Sequence, residues 1–460
     1  MPNATDIDVI VGGAGVAGTA AAAAIQRLGY NILLVEPGQN DDRRLAGEVF
    51  HPPGVSGLAE LGLLNALMDD PAVTVNGFTV TSGKEYIRLP YDSVLAHQMP
   101  GLCLEHRLIR RRLLDLVGAL PNVTVKHGAR VVHIDQGHSY GLVVRLAQGK
   151  DAQDYRCRLL VAADGAQSRI GRMAGINVHS RRISTILSYR VGAASLPQRN
   201  YGHVFLGGST PILLYPIAAD EARILFDIPY DSGRRPDAAD CLAMAAAALP
   251  PVLRRAVEDA IGAQPRMTVL THASATDRSV AGRVALVGDA GGSCHPLTAS
   301  GMTMCINDAL LLHRALIERP DRLPEALALY QRRRRWPQAT RLALAEALRD
   351  AFCGTSPELR VVQKGILAYW RDNAAGRAAT LALLSTADGR PLALLRQFVA
   401  VMIRGFIEHL YERRNGRAGT LRLPRALVAA LARQIKQMGL VPAGPKSYSG
   451  KWPKVRRQRG

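Results

Sequence analysis

Aromatic side chains make up only 5% of this 460-residue chain, and its six cysteines include no C-x-x-C pair. Scattered at 103, 157, 241, 294, 305 and 353, they form neither a disulfide framework nor a structural zinc site, and they suit a reducing cytosol. No long, uninterrupted apolar run stands out, and a transmembrane helix is not expected. There is no internal period of solenoid length. No helix-turn-helix or RNA-recognition signature accompanies the sparse aromatics, so nucleic acid is not an expected partner. Asp6 and Asp8 interrupt the first apolar run, and no secretory leader is expected. Acids are also few, 38 against 58 Lys and Arg. Much of that imbalance is local: from Tyr411 onward 13 Lys or Arg meet a single acid, Glu412. Such a tail suits an anionic membrane surface or a solubilising end.

What is present is ordinary globular material, 48% hydrophobic and 21% charged, enough for about two to three units of ~150 residues. The opening segment reads as a strand (Val9–Val11), a glycine turn, an Ala-rich helix and a second strand (Asn31–Val35), a βαβ unit. Alternating segments such as "GFTVTSG" and "EYIRLPY" predict an antiparallel sheet, and the stretch from about Ser180 to Gln264 alternates again. Beyond Leu323 the period is helical, with a Pro/Gly/Lys-rich end at Pro442–Gly460.

The glycine turn is Gly13-x-Gly15-x-x-Gly18. Gly13 permits a tight turn, Gly15 a close approach of pyrophosphate to backbone, and Gly18 close helix–strand packing, with the helix N-terminus drawing the phosphates. Glu36 closes the second strand, where a carboxylate takes ribose hydroxyls, and an acid there favours NAD or FAD over NADP. Two acid–glycine turns follow: "VAADGAQS" with Asp164-Gly165, and "ALVGDAGGSCHPLTASGM" with Gly288-Asp289 ahead of a long helix.

In this order the three motifs resemble the fingerprint of flavoprotein hydroxylases of the p-hydroxybenzoate hydroxylase type. The segments "RLAGEVFHPPG", "VNGF", "RLPY", "ALPNVTV", "PILLYPIAADEARILFDI", "GDAGGSCHPLT" and "SGMT" are similar, in that order, to the squalene monooxygenase (squalene epoxidase) family. The resemblance implies that FAD is held by Gly13, Gly15, Val16, Gly18, Glu36, Pro37, Arg44, Arg107, Val131, Asp164, Asp289, Gly301 and Met302. Asp289 would accept from the ribityl chain, and the helix opening at Gly301-Met302 would aim its positive end at the flavin. Tyr91 and Pro296 are the implied active-site residues, and no metal is implied. The implied reaction is FAD-dependent monooxygenation, in which a flavin C4a-hydroperoxide donates one O2-derived oxygen to an alkene or a prenylated ring.

The chain also departs from that family's pattern. Ser82-Gly83 replaces an acid/Gln pair, Pro216 a glutamine and Cys294 an arginine, and Thr298-Ala299-Ser300 stands in part for a glycine triplet. An arginine after the DG motif is replaced by Gly171, with Arg169 and Arg172 nearby. Four other features read as structural: His295 as a loop-shaping residue, Cys294 as a small packed one, Met304 as core, and Arg332–Arg335 as a solvated helix face.

Toward the C-terminus, Leu392–Leu410 is apolar with Arg396, Arg404 and Glu408 on one stripe, and Leu423–Leu440 repeats the pattern with Arg425, Arg433 and Lys436. Such faces suit helices lying in a bilayer interface or packing on the protein itself.

The expected architecture is α/β. A Rossmann-like FAD-binding domain (1–75, 100–180 and 265–350) interleaves with a substrate-binding antiparallel sheet (76–99 and 181–264). A helical region (351–441) and a basic tail (442–460) follow. The expected protein is cytoplasmic or peripheral to the inner face of a membrane, and uses NADPH or NADH as electron donor, directly or through a reductase partner. Its substrate is an apolar small molecule. An isoprenoid reductase of the geranylgeranyl reductase type and a non-catalytic FAD/prenyl-binding protein remain as alternatives.

Overall fold

A computed structural model describes residues 5–38, 47–69, 71–91, 99–138, 141–230, 234–354 and 356–414. The first strand, Thr5–Gly12, lies at the centre of an eight-stranded sheet. Parallel to it run Ile32–Glu36 and then Val123–His127 on one side, and Asp151–Ala162 and then Val284–Leu286 on the other. Their apolar runs (ILLV, LLVA, VAL) are covered on both faces, as a parallel sheet requires. Ala129–His138 and Gly141–Gln148 extend Asp151–Ala162 as an antiparallel meander.

The register aligns Gly12 with both Val35 and Ala162, so the glycine turn and the Asp164 turn leave the sheet at one level. The helix Val16–Gln26 carries five consecutive alanines, Ala20–Ala24, all buried. Side chains this small let it lie between the sheet and the helix Gly301–Glu318.

A second sheet of seven strands runs in the order Met267–Thr276, Val178–Gly192, Glu221–Pro229, Ile212–Pro216, Gly202–Leu206, Gly77–Ser82 and Glu85–Pro90. It is antiparallel except between Gly202–Leu206 and Gly77–Ser82, which run parallel. One face packs Leu187, Tyr189, Ile224 and Phe226 under the helices Ala238–Ala248 and Pro251–Ala263. The other presents Val80, Ile87, Leu89, Ile186, Leu206 and Leu225 to the helical region, where Leu344, Leu348, Trp370 and Leu381 meet them.

That helical region comprises Leu323–Cys353, Pro357–Asp372, Ala374–Leu384 and Pro391–Arg414. Pro357–Asp372 and Pro391–Arg414 cross where Gly365 meets Gly405; a Cβ on Gly365 would lie 2.6 Å from the Val401 carbonyl oxygen. The charged stripe on the last helix faces this contact: Arg404 pairs with Asp372 and Glu408, and Glu408 also with Arg371. Leu392, Val399, Ile403, Phe406, Ile407 and Leu410 are exposed on that helix. Among the described residues, no helix is long and apolar enough to cross a membrane. The segments Leu423–Leu440 and Pro442–Gly460 lie outside the described residues.

Candidate active site

The parallel strands carry Gly12, Glu36, Ala162 and Leu286 to one edge of the first sheet, the usual ligand side of such sheets. There Gly13 sits at φ +111, and a Cβ on it would lie 2.5 Å from the Ala163 carbonyl oxygen. A Cβ on Gly18 would lie 1.7 Å from the Gly13 carbonyl oxygen. Both positions therefore need glycine for shape. Gly15 differs: a Cβ there would meet nothing within 4 Å, so its backbone borders open space at the start of the helix Val16–Gln26. Glu36 accepts from the Ala14 amide (3.0 Å) and the Gly38 amide (3.0 Å), which fixes its carboxylate beside the turn with acceptor capacity left for hydroxyls. Val16 is buried in the first turn of that helix, Val131 packs beside Gly12, and Pro37 is exposed just past the strand.

Asp164 has a local role. Its Oδ1 accepts from the Ser168 hydroxyl, and its Oδ2 from the Arg169 (2.7 Å) and Ile170 (3.0 Å) amides, capping the short helix Arg169–Met173. Its backbone adjoins Gly13, which places it beside the glycine turn.

Gly288 and Gly292 adopt positive φ in the loop after Val284–Leu286. Gly288 packs against Ala17 and Cys305, bringing this loop onto the first helix and the helix Gly301–Glu318. The loop is held from behind by one face of the helix Leu323–Cys353. Arg334 donates to the Gly288 and Gly291 carbonyls and pairs with Asp308 (2.9 Å), while Gln338 and Arg341 donate to the Gly292 carbonyl. The solvated reading of Arg332–Arg335 is thus corrected at Arg334, which is 1% exposed; Arg332 and Arg335 do face solvent. At 3.6 residues per turn four consecutive residues point all round a helix, and Arg334 is the one that falls inward.

Asp289, at the tip of this loop, has no side-chain hydrogen bond among the described residues. Burial pushes its carboxyl above the usual range, while Arg341 and then Arg334 pull it back. The helix Gly301–Glu318 starts beside it. Ser300 provides no side-chain cap, Gly301 borders open space, and Met302 is buried against Gly47. An uncapped first turn presents free amides and a positive dipole end.

Together these features fit FAD: an open glycine turn, a fixed carboxylate for the ribose, an unpartnered Asp289, and a free helix N-terminus. Arg44 lies outside the described residues. Arg107 donates to Glu105 (2.8 Å) at the start of the helix His106–Gly118.

Between the two sheets lies a constellation that the motifs did not reveal. His51 is fully buried, with Nδ1 2.6 Å from the Tyr91 hydroxyl and Nε2 2.9 Å from the Thr298 carbonyl. A carbonyl only accepts, so Nε2 carries the ring proton and Nδ1 accepts from Tyr91. Burial lowers the His51 pKa to about 4, which keeps it neutral, and raises Tyr91 well above the ordinary phenol range. Phe78 completes an aromatic box with both rings.

Thr298 closes the turn Pro296–Thr298, so Tyr91 and Pro296 are linked through His51. His295 is anchored by Asp227 of the second sheet (2.9 Å), which agrees with a loop-shaping role. Nearby, Glu48 and Arg223, each 1% exposed, form a two-point ion pair, joined by Glu105, Arg190 and the Tyr215 hydroxyl. An arginine in the apolar strand "EARILFDIP" was the available signal for Arg223. His51, beside two prolines, offered none.

The family model for squalene epoxidase matches residues 156–426, more than half of the chain. The chain belongs to the squalene epoxidase family. The squalene monooxygenase of Candida glabrata is 28% identical over 473 residues, covering 92% of this chain and 94% of that protein. Squalene epoxidase 3 of Arabidopsis thaliana is 27% identical over 422 residues, covering 88% and 79%. Among solved structures, PqsL of Pseudomonas aeruginosa in complex with 2-aminobenzoylacetate gives a TM-score of 0.68 at 22% identity, covering 76% of this chain and 97% of that one. The p-nitrophenol 4-monooxygenase PnpA of Pseudomonas putida gives 0.66 at 19%, covering 86% and 98%.

The expected p-hydroxybenzoate hydroxylase-type fold is therefore present, and this squalene epoxidase family member is an FAD-dependent monooxygenase. One departure from the family pattern loses its apparent relevance. Ser82 ends a strand, paired with Glu85, and Gly83, exposed at φ +60, opens the hairpin turn, so the two sit at its tip. Pro216 and Cys294 stay at the site: Pro216 follows Tyr215, and the Cys294 thiol lies 3.6 Å from the Thr298 hydroxyl.

Proposed function

We propose that this protein epoxidises a carbon–carbon double bond in an elongated apolar substrate, a terpenoid such as squalene or a prenylated aromatic. The Tyr91–His51–Thr298 connection carries the proposal. It joins the turn beside the cofactor site to the face of the second sheet lined by Val80, Ile87, Leu89 and Leu206.

Bound FAD supplies the oxygen-activating chemistry. Gly13, Gly15 and Gly18 shape the turn that would hold the phosphates, Glu36 would take the ribose, Asp289 would accept from the ribityl chain, and the Gly301–Met302 amides would serve the flavin. Tyr91 spends its proton on His51 Nδ1, so its oxygen presents only lone pairs to the apolar side. The His295–Asp227 pair braces the loop that excludes water. Alkene epoxidation needs no acid/base pair.

Electrons come from NADPH or NADH, directly or through a reductase partner. Anaerobic titration of the FAD-loaded protein with each nucleotide separates these routes: bleaching of the flavin marks direct reduction, and bleaching by dithionite alone marks a partner. Oxygen uptake matched by epoxide formation from squalene or a prenylated aromatic is the expected result. Double-bond reduction without oxygen uptake would overturn the reading.

The exposed apolar residues of Pro391–Arg414 and the basic residues that follow support a peripheral seat on the inner face of a membrane. Co-sedimentation with phosphatidylglycerol vesicles, weakened by Ile403→Ser with Ile407→Ser, is expected.

A further inference from the structure

Two buried arginines stand behind the Gly288–Gly292 loop, and their circumstances differ. Arg334 is matched by Asp308, its Nε 2.9 Å from Oδ2. Arg341, 3% exposed, has no ion-pair partner among the described residues. Among the described residues it donates to the Gly292 carbonyl (2.7 Å) and to Gln338 Oε1 (3.4 Å), and its Nε is buried without a hydrogen bond. An unpaired buried charge is costly unless the surroundings use it. The carboxylate on the same loop, Asp289, is equally without a side-chain partner among the described residues, and Arg341 is the foremost charge favouring its ionised form.

We propose that Arg341 is a positioning residue whose charge, delivered from behind the Gly288–Gly292 loop, keeps Asp289 ionised as the acceptor for the cofactor's hydroxyls. Arg341 does this without touching FAD. The proposal rests on Asp289 being that acceptor. The other groups facing Asp289 are Arg334, whose charge is spent on Asp308, together with Asp308 and Cys305 from the helix Gly301–Glu318. The helix Val16–Gln26 contributes no titratable group. With Arg341 neutralised, burial and Asp308 both act to raise Asp289 further. A protonated Asp289 accepts hydroxyl protons more weakly than a carboxylate.

The test uses the full chain stripped of flavin and titrated with FAD between pH 6 and 8, following flavin fluorescence. Arg341→Gln keeps a donor for the Gly292 carbonyl but removes the charge, and Arg341→Met serves if that variant does not fold. Weaker FAD binding is expected, with affinity falling by up to about tenfold per pH unit once pH drops below the raised Asp289 equilibrium. Arg341→Lys should restore both the affinity and its flat pH profile. In an Asp289→Asn background, which itself binds FAD weakly at every pH, the Arg341 substitution should add little.

A loss that is the same at every pH and additive with Asp289→Asn would make Arg341 merely structural and overturn the proposal, as would unchanged affinity. If Asp289→Asn alone leaves FAD binding intact, the assignment of Asp289 fails instead, and the Arg341 proposal falls with it.

Discussion

At the scale of the residue, the site rests on positions that tolerate one side chain only. Gly13 combines φ +111 with a Cβ path blocked 2.5 Å away by the Ala163 carbonyl, so Gly13→Ala meets strain and a clash together. Strain of this kind costs about 1–3 kcal/mol before the clash is counted. The expected outcome is a purified protein with little bound flavin, read from the ratio of 450 nm to 280 nm absorbance. His51 is constrained by its partners. Replacing it with Phe removes the acceptor of the Tyr91 proton and frees the Thr298 carbonyl. A fall in kcat of about tenfold with normal FAD content is expected, since about 1.4 kcal/mol of positioning energy corresponds to that factor. Tyr91→Phe should cost a similar amount, and the double variant little more. Gly13 was legible because its reason is local, a turn between a strand and a helix. His51 was not, because Tyr91 lies 40 residues away and Thr298 lies 247.

At the scale of the element, the helix Leu323–Cys353 shows how period overrides composition. Four consecutive arginines read as a solvent face, yet Arg334, Gln338 and Arg341 recur at helical spacing toward the flavin loop. Arg334→Met leaves Asp308 buried and uncompensated, and a loss of about 3–5 kcal/mol is expected in urea unfolding. Arg332→Ala and Arg335→Ala should each stay within about 0.5 kcal/mol, as exposed positions do. The last described helix obeys the opposite arrangement. Its charged residues Arg404 and Glu408 turn inward to Arg371 and Asp372, leaving apolar residues outside.

At the scale of the whole molecule, buried histidines tie folding to pH. Burial lowers both His51 and His203 to about 4 from an ordinary 6.5. His203 holds the hydroxyl of Thr79 and the carbonyl of Gln198 within the second sheet. Between those values the unfolded chain binds more protons than the folded one, so stability falls as pH drops from about 6.5 toward 4. Each histidine contributes about 3 kcal/mol to that fall. Unfolding free energies measured across this window should fall less steeply in His51→Phe, and less steeply again with His203→Phe added. The interface between the two sheets adds a further dependence on long-range pairing. Arg223→Leu would leave Glu48 buried without its partner and loosen the junction on which the substrate layer depends.

The local grammar of the chain determined the βαβ start, the FAD-type carboxylate at Glu36, the acid–glycine turns and the succession of sheets and helices. Each of these follows from spacing within a few tens of residues. The tertiary structure decided what spacing cannot express: that Asp164 spends its carboxylate on a cap, that Ser82-Gly83 sits at a hairpin tip, and that His51, Arg223, Arg334 and Arg341 are buried. A charged or imidazole side chain has the same letter in solvent and in a core. Only the chain's return, from 26 residues away for Arg334 to 247 for His51, removes the water and supplies the partner that gives it a role.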